Sequence, residues 1–181
     1  SPTAKVPCLV DGERVIWDSL GFAEYLAETH SGVWPLDTDA RSWARCASAE
    51  MHSGFTALRN ECSMTCGQRV TLHCVSGDLA QDLQRIDELW SEGLDRFGGP
   101  YLGGSAFSAV DAFFAPVAFR IATYQLQLSD KPRVYVEQML QLPAMQEWYE
   151  AAIAETWREA SHEEDIASSG TIIADFRARA G

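Results

Sequence analysis

The stretch Lys5-Val-Pro-Cys-Leu-Val-Asp-Gly-Glu-Arg-Val-Ile-Trp-Asp-Ser19 decides how the chain starts to fold. Lys5–Val10 and Arg14–Trp17 are short runs suited to strands, and the Asp11-Gly12 pair between them predicts a tight hairpin turn. Asp18 and Ser19 stand where a helix N-cap belongs, and Phe22, Tyr25 and Leu26 follow at helical spacing. Residues 1–30 thus read as β-β-α. Two strands and one helix bury too little apolar surface to be stable alone, so this piece is expected to be the end of a larger sheet whose earlier strands precede Ser1.

Residues 31–37, with Gly32 and Pro35, are punctuated like an interdomain linker, and beyond them strand signals nearly vanish. From Asp39 to about Cys62, Ala40, Ala44, Ala47, Met51, Phe55 and Leu58 form an apolar stripe that predicts one long helix. Beside it runs a polar row: Arg41, Arg45, Ser48, His52 and Arg59. After an irregular loop, a second stripe from Leu79 to Phe97 stops at Gly98-Gly99-Pro100. Ser108-Ala-Val-Asp111 has capping-box spacing and opens an apolar run to Ile121 that is expected to be the buried centre, bent at Pro116. Further helices are expected over 131–140 and from Pro143, with a polar tail after Trp157 lying on the surface. The fold class is α+β overall, divided as 1–30, a linker over 31–37, and an all-α domain over 38–181.

With 46% hydrophobic and 22% charged residues, the 181-residue chain has the composition of a folded globular protein. A net charge of -12 disfavours nucleic acid as a partner, because phosphate binding rests on lysine and arginine. The apolar runs are broken by charge before they reach bilayer length, so no membrane span is expected. Five cysteines form no paired framework, which fits a reducing, cytoplasmic compartment. Cys62, Cys66, His73 and Cys74 cluster in sequence, but their spacing matches no common zinc pattern, and no metal is expected.

A proline ahead of a strand, if its peptide bond is cis, leaves the N–H and C=O of Val6 open to an extended peptide; a plain trans turn is the alternative. Asp18-Ser19 at a helix start offers a hydroxyl and the free N–H groups of a first turn, which suit an anionic group, beside a carboxylate that suits an ammonium, or else serves as a simple N-cap. Ser108 and Asp111 read as a folding element. His52 and Arg59, on the polar row, are candidates to face a cleft, against the alternative of a solvated helix face. The loop from Cys62 to Cys74 is a candidate to overhang the same cleft.

Taken in order, Val6-Pro7-x-Leu9, Asp18-Ser19, Ser108-x-x-Asp111 and Leu142-Pro-Ala-Met-Gln-Glu-Trp-Tyr149 resemble the glutathione S-transferase family over nearly the whole chain. The resemblance implies the last part of a thioredoxin-like domain followed by the family's helical domain. It implies that Val6 and Pro7 meet the cysteinyl part of glutathione, that Asp18 and Ser19 meet its γ-glutamyl end, and that Lys5 reaches the glycyl carboxylate. His52 and Arg59 would then contact a small hydrophobic electrophile, the second substrate. The family's serine, tyrosine or cysteine that meets the glutathione sulfur falls upstream of Ser1, so no catalytic residue is assigned; Cys8, Ser19 and His52 come first if the thiol is activated from within these residues. Glutathione, as substrate or cofactor, and a homodimer are the partners implied. Conjugation, as in detoxification, and glutathione-dependent isomerisation would use the same site. A non-catalytic binding or assembly module of the same fold is the rival reading.

Overall fold

The computed structural model describes residues 1–177. Its elements run β1 (Cys8–Asp11), β2 (Arg14–Trp17), α1 (Ser19–Ala27), α2 (Thr38–Ser53), α3 (Thr56–Glu61), β3 (Gln68–Leu72), α4 (Gly77–Phe97), α5 (Ala109–Tyr124), α6 (Asp130–Leu140), α7 (Pro143–Ala154), α8 (Ala160–Ser169) and β4 (Gly170–Asp175). Among the described residues these make eight helices and two antiparallel strand pairs, β1-β2 and β3-β4. The opening β-β-α unit and the helical remainder are as expected. Packing groups the chain into two units that interleave in sequence: Ser1–Gly54 with Gly93–Phe113, and Phe55–Glu92 with the chain from Phe114 onward. Sequence punctuation suggested residues 30 and 38 as dividing points, where strand-containing chain gives way to helix.

In the first unit, β1 and β2 pair in the register Cys8↔Trp17 to Asp11↔Arg14. The turn is therefore Gly12-Glu13, one residue later than the Asp11-Gly12 turn read from sequence. Gly12 takes φ 61° at the first central position, where hairpin turns demand the freedom glycine has. α2 buries Ala40, Trp43, Ala44, Ala47 and Met51. Trp43 stacks against Phe97 at 5.5 Å between ring centres. It fits because α4 has glycine at position 93: a Cβ there would stand 2.5 Å from the Trp43 ring and 2.8 Å from the Leu102 carbonyl oxygen.

α5 begins at Asp111's buried carboxylate. Its Oδ1 accepts the Leu102 N–H at 3.0 Å, and its Oδ2 accepts the Ser108 N–H at 2.9 Å. The acidic half of the capping box is thus present. The serine half is reversed: the Ser108 hydroxyl donates to Asp111 at 3.4 Å, and the Asp111 N–H goes to the Ser108 backbone carbonyl. The helix continues unbroken through Pro116.

The expected single helix from Asp39 to Cys62 is two. Gly54 closes α2 by donating to Glu50 O at 2.8 Å, and Phe55 then takes a left-handed φ of 55°, which breaks the ladder before α3 restarts it from the Phe55 carbonyl. The apolar stripe survives the break, since Met51, Phe55 and Leu58 are all buried. Within the second unit, Trp90 packs edge-on against Phe114 at 5.5 Å and Tyr135 at 5.0 Å. Leu79, Ile86, Met139 and Ile166 complete an apolar interior.

Two further expectations are corrected here. The loop from Cys62 to Cys74 contains β3, and the tail after Trp157 forms α8 and β4. The two strands pair from Gln68↔Asp175 to Leu72↔Gly170, and Gln68 Nε2 donates to Asp175 Oδ2 at 3.1 Å. β-branched residues at Val70, Thr71, Thr171, Ile172 and Ile173 suit the ladder. Arg177 locks the end: it donates to Glu163 Oε2 at 2.9 Å and Asp175 Oδ2 at 2.8 Å, with its side chain 13% exposed.

Hydrogen bonds from Arg177 hold the carboxyls of Glu163 and Asp175 below their ordinary values of 4.5 and 3.8. Carboxylates depressed on folding contribute stability above their unfolded pKa and lose it as pH falls through the folded one. Acidification below those ordinary values is therefore expected to lower amide-exchange protection along β3 and β4, and Arg177→Ala to lower it at neutral pH. Equal protection in wild type and variant would remove this role. Asp111→Asn turns an amide NH₂ toward N–H donors that a carboxylate satisfied, and is expected to cost about 2 kcal/mol or more in urea unfolding. A loss under about 0.5 kcal/mol would show that the buried carboxylate is not a structural anchor.

Candidate functional site

The candidate site lies in the first unit, where the β1-β2 hairpin delivers the chain into α1. The Val6–Pro7 peptide bond is cis, and Val6 is 91% exposed. Lys5 and Pro7 are exposed as well. Asp18 is the N-cap of α1: its Oδ1 accepts the Leu20 N–H at 2.9 Å, and its carbonyl accepts the Phe22 N–H. Its backbone stands at φ 74° and ψ 135°, a region that side chains with a Cβ rarely enter. A non-glycine residue held there by its surroundings is the kind of outlier that gathers at ligand sites. Ser19 and Gly21 sit in the same first turn, whose N–H groups precede the first complete helical hydrogen bond and lie at the positive end of the helix dipole.

His52, in the last turn of α2, joins this cluster. Its Nε2 lies 3.1 Å from Asp18 Oδ2, and its Nδ1 lies 3.4 Å from Ser19 Oγ. The ring packs edge-on against Phe113 at 6.4 Å. About two fifths of each side chain stays exposed, 36% for His52 and 46% for Asp18, so a ligand has access. Thus Asp18, Ser19 and His52 come together, although sequence reasoning set His52 with the second substrate. The remainder of the polar row is spent otherwise. Arg45 grips Glu24 on α1 with two hydrogen bonds, 2.8 and 3.0 Å long, and lies over the Trp34 ring, while Ser48 is fully buried.

Arg59 is exposed on α3, within the second unit. Near it stands Arg120, which sequence reasoning missed. Its Nε donates to the Cys62 carbonyl at 2.8 Å, and burial first, then the Arg59 charge, pushes its pKa below the ordinary arginine value. Its signal in the sequence is that it is the only charge between Asp111 and Asp130. Burial pushes the Cys62 thiol up to about 12 and the Cys66 thiol up to about 11, so both stay protonated and unreactive at neutral pH. Among the described residues no group of three or more His, Cys, Asp or Glu side chains is arranged to hold a metal ion.

A cavity of about 670 Å³ in the first unit is lined by Trp34, Pro35, Asp37, Phe97 and Phe107 among others, and none of the candidate residues borders it. A second cavity of about 350 Å³ in the second unit is lined by Met64, Cys66, Trp148, Trp157 and His162 among others. The chemistry at Asp18-Ser19 is surface chemistry. A carboxylate and the remaining N–H groups of a helix start within one turn suit a head group that carries an ammonium and a carboxylate on the same carbon. Among the described residues no helix is long and apolar enough to cross a membrane.

A probable maleylacetoacetate isomerase from Caenorhabditis elegans is 30% identical over 145 residues, covering 74% of this chain and 64% of its own length. The chain therefore spans about two thirds of that relative. Among solved structures, a glutathione transferase homolog from Burkholderia with bound glutathione superposes with a TM-score of 0.62 at 21% identity, covering 83% of this chain and 74% of that one. A theta class glutathione S-transferase from Xanthomonas axonopodis pv. citri, also with glutathione bound, gives 0.54 at 20% identity, covering 81% and 72%. At these identities the structures speak for the fold. The family described as "Glutathione S-transferase, C-terminal domain" matches residues 48–151, more than half of the sequence. The chain belongs to the glutathione S-transferase family.

Proposed function

We propose that this chain binds glutathione at the start of α1 and serves a glutathione-dependent transferase or isomerase. The observation that carries the reading is Asp18, held at φ 74° at a helix start with its carboxylate 3.1 Å from His52 and the Ser19 hydroxyl beside it. In this reading Asp18 meets the ammonium of the γ-glutamyl end, and Ser19 and the first-turn N–H groups meet its carboxylate. Val6 and Pro7, exposed just ahead of β1, present backbone to the cysteinyl part, and Lys5 reaches the glycyl carboxylate. The two glutathione-bound structural neighbours and the nematode isomerase support glutathione as the shared ligand.

The chemistry is delivery of the glutathione thiolate to a small hydrophobic electrophile, which ends in conjugation or, when the thiol leaves again, in isomerisation. Holding both reactants together contributes the proximity term, and hydrogen bonds to the sulfur lower its pKa. The relative among isomerases favours isomerisation. Arg59 stays a candidate contact for the electrophile. A cytoplasmic setting and a detoxifying role follow the same reading.

Asp18→Ala is expected to weaken glutathione binding by about tenfold or more in calorimetry, through loss of a charge-assisted pair. Asp18→Asn, which keeps the N-cap oxygen, is expected to lose the same affinity with little loss of stability. Full affinity in the Asn variant would reduce Asp18 to a cap. The assembly we propose is a two-fold homodimer, the commonest soluble arrangement. Sedimentation velocity at micromolar concentration should show a dimer, and a monomer would exclude it.

A further inference from the structure

We infer that His52 is a positioning residue for the ammonium-binding carboxylate of Asp18, and through it sets selectivity for ligands that carry an α-ammonium group; this rests on the glutathione reading of Asp18-Ser19 given above. Asp18 belongs to the start of α1, and His52 belongs to the end of α2, 33 residues beyond Ser19. The Leu20 N–H fixes one carboxylate oxygen at 2.9 Å, and His52 Nε2 stands 3.1 Å from the other. With both oxygens engaged, rotation about the carboxylate bond is arrested and its remaining lone pairs have a defined direction. The Ser19 hydroxyl lies 3.4 Å from Nδ1, so the ring that stands against Asp18 also meets Ser19.

One side chain therefore meets both members of the pair. Phe113 braces the ring edge-on at 6.4 Å, which keeps the imidazole in place without a further polar partner. The result is a carboxylate with a preset direction on a half-exposed surface, which an ammonium group can meet without first ordering it. Preorganisation of this kind acts on the ligand group that the carboxylate touches and leaves the rest of the ligand alone.

The test compares two ligands by calorimetry: glutathione, and its analogue with a glutaryl group in place of the γ-glutamyl group, which lacks the ammonium. His52→Ala and His52→Phe are each expected to weaken glutathione about fivefold and the analogue less than about twofold. The phenylalanine variant keeps the ring contact with Phe113, so thermal melting should separate any loss of folding from loss of orientation. His52→Gln, which puts an N–H donor near the position of Nε2, should restore most of the affinity. In the double variant with Asp18→Ala, removal of His52 should cost nothing further, since the two act as one unit. Equal weakening of both ligands, or full additivity with Asp18→Ala, would overturn the proposal while leaving the glutathione reading intact. Failure of the wild-type protein to bind glutathione at all would overturn the reading and the proposal together.

Discussion

The carboxylate of Asp111 is the constraint around which the first unit is arranged. It has no exposure to water, and such a group is tolerable only where hydrogen bonds replace hydration. It obtains them by drawing in the N–H groups of Leu102 and Ser108, so the chain between α4 and α5 must fold back over the start of α5. That path brings Leu102 and Val110 into the interior, with Trp43 seated over Gly93 in the same unit. Electrostatics thus chooses the loop's route, and apolar burial then stabilises it.

Local chemistry was legible in the sequence and distant pairing was not. The hairpin, the cap at Asp18 and the start of α5 at Ser108-Asp111 are each fixed by residues within a few positions of one another. The break between α2 and α3 hid for a specific reason. A single residue in left-handed conformation, Phe55, interrupts the hydrogen-bond ladder yet keeps the apolar stripe in phase, so periodicity reads straight through it. The β3-β4 ladder hid because its partners lie about a hundred residues apart, as Gln68 and Asp175 do, and each run alone is too short to stand out from a polar neighbourhood. Half of the candidate site was visible for the same reason: Asp18-Ser19 announces a helix start, while His52 acquires its meaning only where α2 meets α1.

Family and geometry carry different parts of the functional reading. The family match rests on residues 48–151, which exclude Asp18 and Ser19, so it vouches for the helical part of the chain. The candidate ligand site stands on its own geometry: a non-glycine residue in a glycine-like conformation, tied to a histidine from another helix. His52 connects the two, since it falls inside the matched region and touches the site outside it.

The interleaving of the two units has a consequence for biosynthesis. The first unit draws its last segment from Gly93–Phe113, whereas the second needs β4, which ends at Asp175. As the chain leaves the ribosome from its N-terminal end, Gly93–Phe113 has emerged while the second unit still waits for the strand that pairs with β3. Throughout that interval β3 is an unpaired edge, open to any extended segment that meets it first. Its short length, five residues, and the charge at Arg69 limit what such an encounter can gain, so the strand that arrives last is also the one with least competition.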